Sequence, residues 1–123
     1  AFEGAPALAA GIDRGTEIVA IGTSASNLRT VASILASEGA AGLNAALVPS
    51  TTGTTRTFEI RDAAGTRNVS VTMTNFSLTP VSTRYGAKVI DDGGKKVGYI
   101  NLRTFINTAE TPLRNAFANF RTQ

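Results

Sequence analysis

Few residue types in this sequence are able to do chemistry, and their spacing decides what they can do. Asp91 and Asp92 stand side by side, a pair that could hold a divalent cation or share a proton. Adjacent residues on an extended chain point to opposite sides, however, and Gly93-Gly94 follows at once, so the pair is expected to form a turn. A Ser–Lys dyad needs a lysine taken out of water beside a serine, whereas Lys88, Lys95 and Lys96 fall in or beside that same turn. No activated nucleophile is visible. The absence of His and Cys removes Ser-His-Asp and Cys-His arrangements and the usual zinc ligands. Gly11-Ile12-Asp13-Arg14-Gly15 has the glycines of a phosphate loop, yet no Gly-Lys-Ser/Thr follows, so a structural turn is expected. Asn68-Val69-Ser70 and Asn75-Phe76-Ser77 match the glycosylation sequon and are read as sheet residues. Neither a cofactor nor a metal is expected.

The charge balance points the same way. The net charge is +3, but Arg14, Arg29, Arg56, Arg61, Arg67, Arg84, Arg103, Arg114 and Arg121 are spread along the chain, and Lys95-Lys96 is the sole adjacent pair of cations. A nucleic-acid site needs cations gathered on one face, so nucleic acid is not an expected partner. With 42% apolar and 17% charged residues, the 123-residue chain has an ordinary globular composition and room for one domain with an appended piece. No apolar run is long enough to span a bilayer.

The elements that must position these residues follow from periodicity. Ala1 to Gly4 is compatible with the end of a strand, and Ala5 to Gly11 with a helical turn entered at Pro6 and stopped by glycine. Thr16 to Ile21 reads as a buried strand. Ser26 or Asn27 can cap a helix over Leu28 to Glu38, with Leu28, Val31, Ile34 and Leu35 at helical spacing and Gly39 as the stop. With Ala32, these side chains cover an arc wider than one packing seam, which frees one edge for another task. Gly39 to Gly53, rich in small residues, reads as a surface loop. Alternation at Phe58 and Ile60, and again at Val69, Val71 and Met73, gives two strands joined by a turn at Asp62 to Gly65. Phe76 to Thr83, centred on Pro80, marks a module boundary. Beyond it come a hairpin from Ala87–Ile90 and Val97–Leu102, then a helix capped by Thr111 with Pro112 first and Leu113, Ala116, Phe117 and Phe120 on one stripe. The predicted class is α+β: an antiparallel sandwich or partial barrel with one main helix, followed by a hairpin and a C-terminal helix.

Two stretches carry a family resemblance. Gly4-Ala5-Pro6-Ala7-Leu8-Ala9-Ala10-Gly11-Ile12-Asp13-Arg14-Gly15-Thr16-Glu17-Ile18-Val19-Ala20-Ile21-Gly22 resembles the PDZ pattern of Pro-Ala, a helical turn, Ala-Gly, then Gly-Asp and an apolar strand. Thr16 replaces the usual Asp, and Gly22-Thr23 stands where Asn-Gly is often found. Val97-Gly98-Tyr99-Ile100-Asn101-Leu102-Arg103-Thr104-Phe105, with the helix after it, is similar to the segment that opens the protease core of the C-terminal processing, or tail-specific, serine peptidases.

The resemblance implies an N-terminally incomplete PDZ-like domain over residues 1–79, with a linker and the first hairpin and helix of the peptidase core over 80–123. It implies a serine endopeptidase of the bacterial cell envelope, periplasmic or secreted, using a Ser–Lys dyad placed beyond Gln123, so that no catalytic residue falls in this chain. Its partners would be the C-terminal tails of protein substrates and the remainder of the peptidase domain. A tail would add as a strand beside the helix, along an edge made by Leu28, Ala32 and Leu35. Loss of the strand before Phe2 would expose a sheet edge and favour self-association. The alternative is a stand-alone PDZ-like scaffold or dimerisation module with no protease.

Overall fold

A computed structural model describes residues 1–49 and 51–123, and the chain divides into two compact units, 1–76 and 77–123. Among the described residues the architecture is α+β, with six strands in two antiparallel sheets, a main helix and a C-terminal helix. Neither sheet closes into a barrel. No helix among the described residues is long and apolar enough to cross a membrane.

In the first unit, α1 (Pro6–Ala9) is one turn, entered at Pro6 and ended by Gly11 at φ +92°. Residues ahead of it form a turn, in which the Ala5 N–H donates to Phe2 O at 3.0 Å, rather than the end of a strand. Strands β1 (Glu17–Gly22), β2 (Arg29–Thr30), β3 (Thr55–Asp62) and β4 (Gly65–Thr72) form one sheet in the order β2-β1-β3-β4. Ile18 and Ile21 are three apart, a spacing that would put them on opposite faces of a regular strand. The β1–β3 register shifts between Ile18 and Ala20, so Ile18 pairs with Ile60 and Ile21 with Phe58. Val19 is the extra residue of this bulge, which returns both isoleucines to one face.

That face builds the core. Ile21, Ile34, Phe58, Ile60 and Val71 are buried together, with Ala7, Ile12, Leu43 and Leu47 packed around them. The opposite face is polar along the β3–β4 ladder, where Thr55 and Thr72 hydroxyls lie 2.8 Å apart and those of Thr57 and Ser70 3.2 Å apart. Asn68 and Ser70 lie in β4, whereas Asn75-Phe76-Ser77 lies past its end, outside the sheet.

The main helix departs from the expected bounds. Helix α2 spans Val31–Leu47 and is broken at Gly39, which takes φ +67° and ψ −166°. The expected loop from Gly39 is therefore helical as far as Leu47. Alanine is the strongest helix former, and Leu43, Ala46 and Leu47 have a helical spacing that reaches the core, so burial overrides the loop-like composition. Ser50, in that expected loop, lies outside the described residues.

In the second unit, β5 (Ala87–Asp92) and β6 (Lys95–Ile100) pair in register from Ala87–Ile100 to Asp92–Lys95. Gly93 and Gly94 take positive φ, and the Asp91 carboxylate accepts from Gly94 N at 2.9 Å and Lys96 Nζ at 2.8 Å. Asp91 is thus a turn residue. Pairing resumes at Val81–Leu102, and the Arg103 N–H donates to Pro80 O at 2.8 Å, so the segment around Pro80 is backbone-paired rather than a loose linker. A 3₁₀ turn (Asn107–Ala109) leads into α3 (Glu110–Thr122). The helix starts ahead of Thr111, with Ala109 as its N-cap, and Pro112 sits in the first turn, where its missing N–H costs nothing. Of the expected stripe, Ala116 is buried, Leu113 and Phe120 are half-buried, and Phe117 stays exposed. Phe120 lies on β6 so closely that a Cβ on Gly98 would come within 2.6 Å of its ring.

Gly98→Ala must therefore push the Phe120 ring away. The expected loss is about 1–3 kcal/mol in urea unfolding followed at the amides of β5 and β6. Adding Phe120→Leu should recover most of it. An unchanged Gly98→Ala would show that this contact does not hold α3.

The two hairpin turns predict a shared pH response. The Arg67 guanidinium, then the Ala64 N–H, hold the Asp62 carboxyl below the usual carboxylate range. Lys96, then the Gly94 N–H, do the same for Asp91. A carboxyl lowered on folding contributes stability that is complete above its unfolded pKa and is lost as pH falls through the folded value. Asp62→Asn and Asp91→Asn should each melt below the parent at pH 7, and the gap should narrow as the pH falls through and below the usual carboxylate range. A gap that persists in acid would assign the effect to neutral hydrogen bonds.

Candidate functional site

The loop after β1 sets the geometry of a cleft in the first unit that brings buried apolar residues together with cations. Asn27 folds back on this loop: its side-chain oxygen accepts from Ser24 N at 2.8 Å, and its amide donates to the Thr23 hydroxyl. Gly22 is required beneath it, since a Cβ there would lie 2.6 Å from Asn27 O. With its side chain committed backwards, Asn27 cannot cap α2. Thr30 does so instead, accepting from Ser33 N at 3.1 Å.

This later start rearranges the predicted binding edge. Leu28 precedes the helix and is half-buried, while Ala32 and Leu35 lie on its first turns, both exposed. The structure brings Ala32 and Leu35 together at a three-residue helical spacing and leaves Leu28 out of that row. Leu35 is 43% exposed and its neighbour Ile34 is 1% exposed, so the core takes one narrow stripe of α2 and leaves Leu35 to solvent.

Beside the N-terminal end of α2 lies a cleft of about 320 Å³ with Ile21, Ile34 and Ala46 among its walls. Gly22, Thr23 and Asn27 border it, and two arginines, Arg29 and Arg56, complete it. The two cations differ in kind. Arg29 is ion-paired to Glu38 at 2.6 Å and donates to the Ser37 hydroxyl at 3.1 Å. Both partners of that ion pair are about half exposed, so it contributes at most about 1 kcal/mol, and its main effect is to neutralise Arg29 and fix its position. Arg56 is half-buried and donates only to the neighbouring Thr55 carbonyl at 3.3 Å, and no carboxylate pairs with it among the described residues. Ile34 and Ala46 both line this wall from either side of the kink at Gly39, where a Cβ on Gly42 would fall 2.2 Å from that of Glu38.

The cleft residues are scattered along the sequence, where the arginines form no block. A signal was present nonetheless. Arg56, Phe58 and Ile60 alternate on β3, so the first of them shares the core-facing side with two buried residues. A larger hollow of about 510 Å³ follows the outer face of α3, where Leu113 and Phe117 are bordered by Arg114 and Arg121, and Arg114 is already paired to Glu110 at 2.7 Å. Among the described residues no group of three or more His, Cys, Asp or Glu is placed to hold a metal ion. Comparison with protein-family models, curated proteins and solved structures finds no match for this chain.

Proposed function

We propose that the first unit is a PDZ-like module that captures C-terminal tails of protein substrates, and that the second is the opening hairpin and helix of the core of a C-terminal processing serine peptidase. The observation that carries this reading is the uncovered Ala32–Leu35 edge on a helix laid against an antiparallel sheet, with only the two-residue β2 beyond β1. An extended peptide docking there would bury its apolar side chains on Leu35 and satisfy its backbone at an open strand edge. The Gly98-Tyr99 strand under a C-terminal helix supports the second half of the reading. None of the three lysines is placed as a desolvated base: Lys96 is held by Asp91 at 2.8 Å, and Lys88 and Lys95 are exposed. On this reading the chain is a binding and regulatory piece, inactive by itself.

A specific observation favours a second reading, a dimerisation module without a protease. Ile90, Val97 and Tyr99 share one face of the β5–β6 hairpin and are all exposed.

Fluorescence anisotropy with a labelled peptide ending in apolar residues tests the first reading. The free-acid peptide should bind at least about tenfold more tightly than its amide, Leu35→Asp should weaken it by a similar factor, and the peptide should remain uncut. Equal affinities for acid and amide would discard tail capture. A dimer that Tyr99→Lys dissociates, in a chain that ignores the peptide, would establish the second reading.

A further inference from the structure

We infer that the outer face of α3 is a self-association surface, on which a second copy of this chain docks its own α3 in the antiparallel sense. The inference stands apart from tail capture and from the exposed face of the β5–β6 hairpin, and it requires neither.

The inward side of α3 is fixed by Ala116, which is buried, and by Phe120, which lies on Gly98. Turned away from them are Glu110, Arg114, Phe117 and Arg121, all exposed and spaced by four, three and four residues. That spacing makes one straight stripe, the seam along which helices pair side by side. At its middle the Phe117 ring is 56% exposed, held edge-on to Phe120 with centroids 6.1 Å apart. Leu113 and Ala118 flank the stripe, and the small side chain of Ala118 lets another helix come close.

The order of the charges says what covers this stripe. Glu110 and Arg121 stand equally far from its middle, as do Arg114 and Phe117. A second α3 laid antiparallel across that middle sets Glu110 against Arg121 of the second copy, and Arg114 against Phe117 of the second copy. The two-fold axis makes each contact twice, the self-complementarity that a symmetric dimer needs. A guanidinium over an aromatic ring is attractive, so the inner pairs hold as well as the outer ones. A parallel arrangement would instead bring Arg114 to Arg114 and Arg121 to Arg121, like charges at close range. Within one chain Glu110 is the sole carboxylate of α3, and it pairs with Arg114 at 2.7 Å. Arg121 has no carboxylate partner among the described residues. The second copy's Glu110 supplies it. The contact is small: a 13-residue helix is about 20 Å long, so the dimer is expected to form at roughly 10–100 µM.

Sedimentation equilibrium of the full 123-residue chain, from about 5 µM to about 1 mM, is the first test, and the mass should rise towards twice that of one chain. Glu110→Arg and Arg121→Glu should each weaken pairing at least about tenfold, because each sets like charges at both ends of the contact. Mixed together, the two variants oppose unlike charges at both ends and should pair at about the parent's affinity, seen as amide shifts over residues 110–122 of an isotope-labelled variant titrated with the other. Arg121→Gln, a milder change in the exposed last turn, should weaken pairing by a few-fold, and the helical circular dichroism of every variant reports whether α3 still forms. A mass that stays monomeric up to about 1 mM would overturn the surface, as would a mixture that fails to recover while both variants keep the parent's helix content. A dimer that Tyr99→Lys dissociates and the α3 variants leave intact would assign association to the hairpin and overturn it too.

Discussion

The arrangement of the first unit depends on one irregularity, the bulge at Val19. A strand alternates strictly, so Ile18 and Ile21 can share the core only if one residue is inserted between them. The register change does this, setting Ile18 opposite Ile60 and Ile21 opposite Phe58. Without it, one isoleucine would turn out to the polar face occupied by Thr57 and Ser70. The same correction places Ile21 where it serves both as a core residue and as a wall of the cleft. Arg56 lies on the inward side of β3 by that strand's own alternation, opposite Val71.

Sheet structure was legible in the sequence because it rests on local signals. Phe58 and Ile60, then Val69 and Val71, alternate cleanly, and Asp62 and Asp91 each stand where a carboxylate can bond a turn amide. The bounds of α2 were not legible, for two physical reasons. Asn27 is a competent cap by type, but its amide is spent on Thr23 and Ser24, a choice visible only once the loop is closed. The segment after Gly39 has the composition of a loop and the spacing of a helix, and core contacts at Leu43 and Leu47 decide between them. The cleft was least legible: Arg29 and Arg56 lie on different elements, and only tertiary structure tells which of them Glu38 neutralises.

The second unit is held by different means. A two-stranded hairpin is marginal in water unless one face is covered. Phe120 supplies that cover over Gly98, and the close approach is possible only because position 98 has no side chain. The other face keeps Ile90, Val97 and Tyr99 in water, while charged residues at Lys88, Asp92 and Lys95 line the same strands. Alternating charge of this kind discourages indiscriminate edge pairing while leaving the apolar face available.

The glycines that carry the family resemblance are also ones the fold demands. Gly11 and Gly15 take positive φ, Gly22 has no space for a Cβ beside Asn27, and Gly98 has none beside Phe120. Any chain folding this way would need them, so they argue for the architecture more strongly than for an activity. Residues that the fold does not demand carry more functional weight. Leu35 is 43% exposed and adds little to the core, and Arg56 carries a cation on the strand that also supplies Phe58 and Ile60 to it. Neither side chain belongs to the buried cluster, so a substitution at either reports on binding with less disturbance of the fold than one at the glycines.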